Sequence, residues 1–256
     1  MKLRIVVLGN DPRQEYLKQL LAASGASLVS FQDSFDVLIL PIPTKESLLA
    51  ESFSYLLKEH IVIGGPIPNE YRIKFMNHGI TYINIMAQNS VASKNAIATA
   101  EGVIAEAIQK SPVTLAQKNC LVIGYGNCGE VLCDRLCGLQ CRVFVSDIDS
   151  KKQLEALSSG YYLLSLEKEH KDALTSFSYL FNTAPDNVLT PDIIDCLSKD
   201  VLILDLASSP GGTDFNYCKE KGIAAYLCPG LPAKYSPLTS AKIMFEEMAS
   251  ILEHLR

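Results

Sequence analysis

Short apolar runs alternate along this chain with longer stretches in which apolar residues recur every three or four positions. The first run, residues 3–8, reads as a buried strand. After Asp11-Pro12, the residues Leu17, Leu20 and Leu21 mark one face of a helix. Residues 26–31 and 37–40 predict two further strands, and residues 45–59 a helix. Residues 61–63 read as a strand stopped by Gly64-Gly65-Pro66. A helix over 71–78 and a strand over 80–85 follow. Strands separated by helices predict a parallel sheet covered on both faces.

Residues 90–110 are rich in Ala, Ile and Glu and end at Ser111-Pro112. They predict one helix of ~30 Å. A second alternating run then begins, with strands expected at 120–123, 142–145, 179–182, 201–206 and 224–227. The last helix starts at Ser236, with Pro237 at its first helical position, and carries the stripe Ala241, Met244, Met248, Ile251, Leu252 and Leu255. The fold class expected is α/β, with two tandem Rossmann-like domains built on parallel sheets. The expected divisions are a first domain over 1–89, rejoined by a C-terminal helix over 236–256, a linking helix and connector over 90–117, and a dinucleotide-binding domain over 118–235.

Composition narrows the class. Of 256 residues, 48% are hydrophobic and 20% charged, which is enough to bury a core and unlike a disordered chain. The net charge of −5 argues against a nucleic-acid protein. No apolar run reaches the ~20 residues of a membrane helix, and the N-terminal run is too short for a signal peptide. The expected compartment is the cytoplasm. Five of the eight cysteines (Cys120, Cys128, Cys133, Cys137, Cys141) crowd one segment, and in a reducing compartment they are expected as small packing thiols. Cys133, Cys137 and Cys141 lack the CxxC pairs or nearby histidines of a metal site, so no metal is expected. The four histidines, His60, His78, His170 and His254, are scattered and stand in no motif.

The strongest motif is Gly124-Tyr125-Gly126-Asn127-Cys128-Gly129, a GxGxxG run after a strand and before a helix. In such a run the first glycine makes the turn, the second lets backbone approach a pyrophosphate, and the third lets helix pack on strand. The helix N-terminus then offers N–H groups to the anion. The next strand ends in Asp147, 18 residues after Gly129. A carboxylate there accepts from ribose hydroxyls and repels a 2′-phosphate, which favours NAD over NADP. Lys151 and Lys152 lie just beyond and blur that preference. Cys128, at the helix start, is expected to pack rather than react.

Other strand ends are polar. They are Asn182-Thr183-Ala184-Pro185, the run Asp205-Leu206-Ala207-Ser208-Ser209-Pro210-Gly211-Gly212-Thr213-Asp214-Phe215, and the segment from Pro229 to Lys234. Ligands bind beyond the carboxyl ends of strands in open α/β sheets, so Asn182, Thr183, Ala184 and Ala207 join the candidate cofactor set. Arg13 follows the first strand and is placed to clamp a carboxylate. On the long helix, Asn95, Thr99 and Gly102 share a face, with Glu101 off it.

These residues carry a resemblance. The runs DLASSPGGTDF (205–215) and PGLPAKYSP (229–237) resemble the A subunits of bacterial dipicolinate synthase. The runs GNDPRQ (9–14) and NAIATAEG (95–102) are similar to that family's GGDxRQ and NAIPTAEG patterns. The resemblance implies an architecture like that of the 2-hydroxy acid dehydrogenases, and a partnership with a flavoprotein-like B subunit in a sporulating mother cell. It also implies NAD(P)-dependent oxidation of a dihydrodipicolinate-type ring to pyridine-2,6-dicarboxylate. Arg13 and Lys234 are then the candidates for the substrate carboxylates, and Asn95, Thr99, Ser208, Gly212 and Thr213 for further substrate contacts. Glu101 and Asp205 are both candidates for the base. Two departures stand out: Ala98 replaces the family's proline, and the strand after the fingerprint ends in Ser146-Asp147-Ile148-Asp149, where family members can carry an arginine and small residues that suit NADP. A homo-oligomer is expected. A 2-hydroxy acid dehydrogenase is the first alternative, but it lacks its arginine near Ser208 and any histidine between His170 and His254. The second is a cofactor-binding scaffold whose partner is catalytic.

Overall fold

A computed structural model describes residues 3–166 and 173–254. His170 and Leu255 lie outside them. The chain divides into two compact units, Met1–Asn95 with Pro232–Arg256, and Ala96–Leu231.

Unit 1 is built on β1 (Arg4–Val7), α1 (Pro12–Ala23), β2 (Ser27–Leu28), β3 (Val37–Ile39), α2 (Glu46–Phe53), β4 (Ile61–Gly64), α3 (Asn69–Asn77) and β5 (Thr81–Asn84). All pairings are parallel, in the order β2-β1-β3-β4-β5. The order reverses between β1 and β3, which makes that gap the switch point where ligands bind in doubly wound sheets. Alternation sorts the strand residues onto two faces. Ile5, Val37, Ile39 and Ile63 pack with Leu17 and Leu21 of α1, and with Ala241, Met244 and Met248 of the C-terminal helix, α10 in chain order (Pro237–His254). Val6, Leu38, Leu40 and Val62 pack on the other side with Leu49, Tyr71 and Phe75. Fully burying one such side chain is worth ~1.5–3 kcal/mol.

The helix predicted over 45–59 stops at Phe53. The Ser54 hydroxyl bonds back to the Glu51 carbonyl, and the following chain turns so that the Leu57 N–H donates to His60 Nδ1 just before β4. The strand predicted over 26–31 pairs only at Ser27 and Leu28.

The long helix α4 (Asn89–Lys110) begins in unit 1 and continues in unit 2. Ala98 is buried within it and the helix is unbroken. Unit 2 continues with β6 (Asn119–Ile123), α5 (Asn127–Gly138), β7 (Arg142–Ser146), α6 (Ser150–Ser158), β8 (Tyr162–Leu163), β9 (Tyr179–Asn182), α7 (Pro191–Ile194), β10 (Leu202–Asp205), α8 (Phe215–Lys221) and β11 (Ala224–Leu227). The helix α9 (Leu231–Tyr235) follows. The sheet is wholly parallel in the order β11-β10-β9-β6-β7-β8. Renumbered from its own first strand, this is 3-2-1-4-5-6, the order of dinucleotide-binding sheets. Its switch point lies between β6 and β9. Two short elements, β8 and α7, carry too few residues for a period to show in the sequence.

Candidate functional site

At the carboxyl end of β6 the chain turns through Gly124, whose φ of +89° suits a residue without Cβ. A Cβ there would lie 2.5 Å from Thr183 Oγ1. Thr183 comes from the end of β9, and its hydroxyl is shared between the carbonyls of Ile123 at 2.9 Å and Gly124 at 3.1 Å. One side chain thus ties the glycine turn across the switch point. Gly129 sits on the same turn, since a Cβ would come within 2.0 Å of the Gly124 carbonyl oxygen. Gly126 is different. It is the N-cap of α5, no side chain caps it, and a Cβ there would meet nothing within 4 Å. Open space therefore lies beside the leading N–H groups of a twelve-residue helix, as an anion requires.

Asp147 follows β7 directly. Its Oδ2 accepts from the Tyr125 N–H at 2.6 Å and its Oδ1 from the Asp149 N–H at 2.8 Å. Each oxygen keeps a second lone pair, so the carboxylate is fixed and still able to accept from ribose hydroxyls. The next residue, Ile148, is 97% exposed, an apolar side chain held in solvent beside that carboxylate. Lys152 pairs with Glu155 at 2.7 Å, and Lys151 reaches the same carboxylate at 4.0 Å, so both cations already have an anion. The Tyr125 ring is buried, its hydroxyl directed to Ser159 Oγ at 3.4 Å; burial pushes its pKa up, and only its backbone belongs to the loop surface. Burial also pushes the Cys128 thiol up, against a hydrogen bond from Thr99. Thr99 and Cys128 therefore join α4 to the start of α5.

Several sequence candidates lie under the loops rather than on them. Asn182 is fully buried, and its amide is spent on Ala184, donating to the carbonyl and accepting from the N–H, both at 3.1 Å. Asp205 is fully buried as well. It accepts from the Ala207 N–H at 2.9 Å, the Gly212 N–H at 2.9 Å and the Thr213 hydroxyl at 2.6 Å. Those three bonds turn it into the peg that holds the 206–213 loop and take it away from the position of a base. Thr213 spends its hydroxyl there, and a Cβ on Gly212 would lie 2.3 Å from the Asp186 carbonyl oxygen. Neither residue is a surface for a ligand. Ala207 is buried too, while Ser208 and Ser209 are exposed at the tip. Glu101 pairs with Arg135 at 4.0 Å, in the C-terminal half of α5 and away from the Gly126 end. Asn127 is exposed at the start of α5.

In unit 1, Arg13 is only 4% exposed. Its Nη2 donates to the Ile42 carbonyl at 2.6 Å, across the β1/β3 switch point. Its Nε lies 4.0 Å from Asp11 Oδ1 and makes no hydrogen bond. Burial draws its pKa down, with Asp11 opposing. Asn95 accepts from Ser240 of α10 at 3.4 Å. Lys234, in α9, is exposed and lies over the Tyr235 ring at 4.9 Å. Two features escaped the sequence reading: the Thr183 latch, which needs the strand order, and Ile148, whose signal was an apolar residue just after a strand-end acid. Among the described residues, no group of three or more His, Cys, Asp and Glu is arranged to hold a metal ion.

Residues 95–225, half of the chain, match the family described as "S-adenosyl-L-homocysteine hydrolase, NAD binding domain". The chain belongs to that family. The matched NAD-binding domain is almost the whole of unit 2, including every glycine of the loop and Asp147. Over its full length the chain is similar to the dipicolinate synthase A subunit of Bacillus subtilis, 28% identical with 99% of this chain and 97% of that one covered. Among solved structures it resembles the dipicolinate synthase A subunit from Bacillus halodurans, with TM-score 0.89, 24% identity, and 98% and 97% of the two chains covered. It shares its fold with Salmonella D-lactate dehydrogenase, with TM-score 0.68, 15% identity, and 98% and 96% covered. The resemblance read from the four motifs thus extends end to end. Among the described residues no helix is long and apolar enough to cross a membrane.

Proposed function

We propose that this chain is the nicotinamide-dependent oxidoreductase component of a dipicolinate-forming enzyme. It takes one hydride and one proton from a dihydrodipicolinate-type ring to give pyridine-2,6-dicarboxylate. The observation that carries the reading is the open glycine turn at Gly126, set beside a fixed Asp147 in a chain similar to a dipicolinate synthase A subunit over its whole length.

The dinucleotide, when bound, supplies the hydride acceptor. The turn Gly124 to Gly129 and the α5 N-terminus hold its pyrophosphate, with Tyr125, Asn127 and Cys128 contributing backbone. Asp147 takes the ribose hydroxyls and rejects a 2′-phosphate, so NAD is preferred. Ile148 covers the adenine. Thr183 and Ala184 border the nicotinamide end, shaped from below by Asn182 and Asp205. Ser208, exposed on the pegged loop, contacts the substrate. Arg13 and Lys234 take the substrate carboxylates; the unpartnered Nε of Arg13 supports that role. The chain forms a homo-oligomer and acts with a flavoprotein-like B subunit in the cytoplasm of a sporulating mother cell.

A second reading has one specific support. Of the two expected bases, Asp205 is buried with three bonds to its own loop, and Glu101, on α4, pairs with Arg135 in the C-terminal half of α5. A scaffold role, with the catalytic groups on the partner, follows from that. A coupled assay separates the two. The cyclic precursor is generated from pyruvate and aspartate semialdehyde, and the chain is added with and without its B-type partner, with NAD⁺ or NADP⁺. Dipicolinate formed in step with NADH by this chain alone is the expected result. Product only with the partner supports the scaffold. No product in either arm, with precursor present and the chain folded, overturns the activity.

A further inference from the structure

Asp147 stands just past Ser146, the last paired residue of β7, so the strand ladder does not fix its backbone. The turn that follows is held by hydrogen bonds. Asp149 is the N-cap of α6 and accepts from the Lys151 N–H at 2.9 Å. Four residues on, the Gln153 N–H donates to the Asp149 carbonyl at 3.0 Å and closes the first turn of the helix. Side chains on a helix lean toward its N-terminus, so the Gln153 amide reaches back over that turn. Its Nε2 donates to the Asp147 backbone carbonyl at 2.6 Å, in a partly buried bond. Packing does little here, since Ile148, the next residue in the turn, is 97% exposed.

Asp147 is thus held at three points: Oδ2 by the Tyr125 N–H, Oδ1 by the Asp149 N–H, and its carbonyl by Gln153. The first two bonds each spend a lone pair of the oxygens that a ribose needs. The third holds the residue and leaves the carboxylate's remaining lone pairs open.

We propose that Gln153 is a positioning residue that sets the preference for NAD over NADP, acting through Asp147. The proposal rests on the reading that Asp147 takes the ribose hydroxyls. A carboxylate held in one place accepts from those hydroxyls and stands against a 2′-phosphate. Released by Gln153, Asp147 spreads over several positions. NAD⁺ then loses hydrogen bonds, while NADP⁺ loses repulsion. A general loosening of unit 2 would instead weaken both dinucleotides alike.

Titration of the intact chain with NAD⁺ and with NADP⁺ tests this. Gln153→Met keeps the length of the side chain and removes the donor. NAD⁺ affinity is expected to fall about threefold to tenfold, the worth of one hydrogen bond, while NADP⁺ affinity holds or rises. In an Asp147→Ala background the same substitution leaves the ratio of the two affinities unchanged, because the carboxylate through which Gln153 acts is gone. Gln153→Ala, which introduces the best helix former, repeats the measurement should the Met variant fail to fold. Equal losses for both dinucleotides, an unchanged ratio in a chain that prefers NAD⁺, or a full effect in the Asp147→Ala background overturns the proposal and leaves the role of Asp147 standing. A wild type that binds neither dinucleotide, or binds NADP⁺ more tightly, overturns the reading of Asp147 and this proposal with it.

Discussion

Two switch points in this chain begin alike and end differently. In unit 1, β1 runs into Gly9 at φ +99° before α1; in unit 2, β6 runs into Gly124 at φ +89° before α5. Beyond the first glycine they part. In unit 2 the helix starts at Gly126, uncapped and with free space beside it. In unit 1 the helix is capped by its own Asp11, which accepts from the Gln14 N–H at 3.1 Å. The gap there is filled by Pro41, 2.9 Å from where a Gly9 Cβ would stand, and by Arg13 bonded to Ile42. The first glycine only makes the turn. Whether a phosphate can approach is decided by the next residues, which either leave N–H groups and room or use both up.

That contrast can be broken by substitution. The largest effect is expected from Gly129→Ala, whose Cβ would meet the Gly124 carbonyl oxygen at 2.0 Å. The helix must move, at a cost of about 3 kcal/mol, with cofactor binding lost as well; a melt and an NAD⁺ titration check both. Gly9→Ala is next. A left-handed φ and the contact with Pro41 destabilise unit 1 by about 2 kcal/mol, while NAD⁺ affinity in the folded protein is unchanged. An equal loss of affinity would show that the two turns are not independent.

Gly126→Ala sharpens the comparison most. Its backbone, at φ −80°, accepts any residue and the new methyl touches nothing, so the melt is preserved. NAD⁺ affinity nevertheless falls roughly tenfold or more, because the methyl stands where the pyrophosphate approaches. Asp147→Ala removes a charged acceptor and weakens NAD⁺ by about 1.5–3 kcal/mol, with NADP⁺ gaining relative to it. If the wild type already prefers NADP⁺, this carboxylate does not read the ribose. The smallest change is Asp11→Ala, which removes a cap worth about 1 kcal/mol from α1 and leaves cofactor binding alone.

Much of the fold was legible because the sheets are parallel and buried. The strands at 179–182 and 224–227 were read to the residue, since each is an apolar run between turn signals. The helix after Ile61's strand and the long α4 were also visible by period. What failed was short or set by tertiary contact: the two-residue β8, and the end of α2 at Phe53. The glycine turn and the acid after the next strand were legible because a GxGxxG run between strand and helix, followed by a strand-end acid, is a set of fixed residue types at fixed spacing. Asp205, expected as a base, and Asn182, Gly212 and Thr213, expected at ligands, are instead engaged with their own loops. Polar residues at a strand end look alike in sequence whether they face a ligand or peg a loop, and only burial and partners distinguish them.

The central claim is that unit 2's switch point takes the dinucleotide and that unit 1's, crowded by its own Pro41 and capped by Asp11, does not. Hydrogen-exchange mass spectrometry with and without NAD⁺ tests it directly. The account predicts new protection in residues 123–130 and 146–149, with 9–14 unchanged. Protection confined to 9–14, with 123–130 exchanging as before, would contradict it.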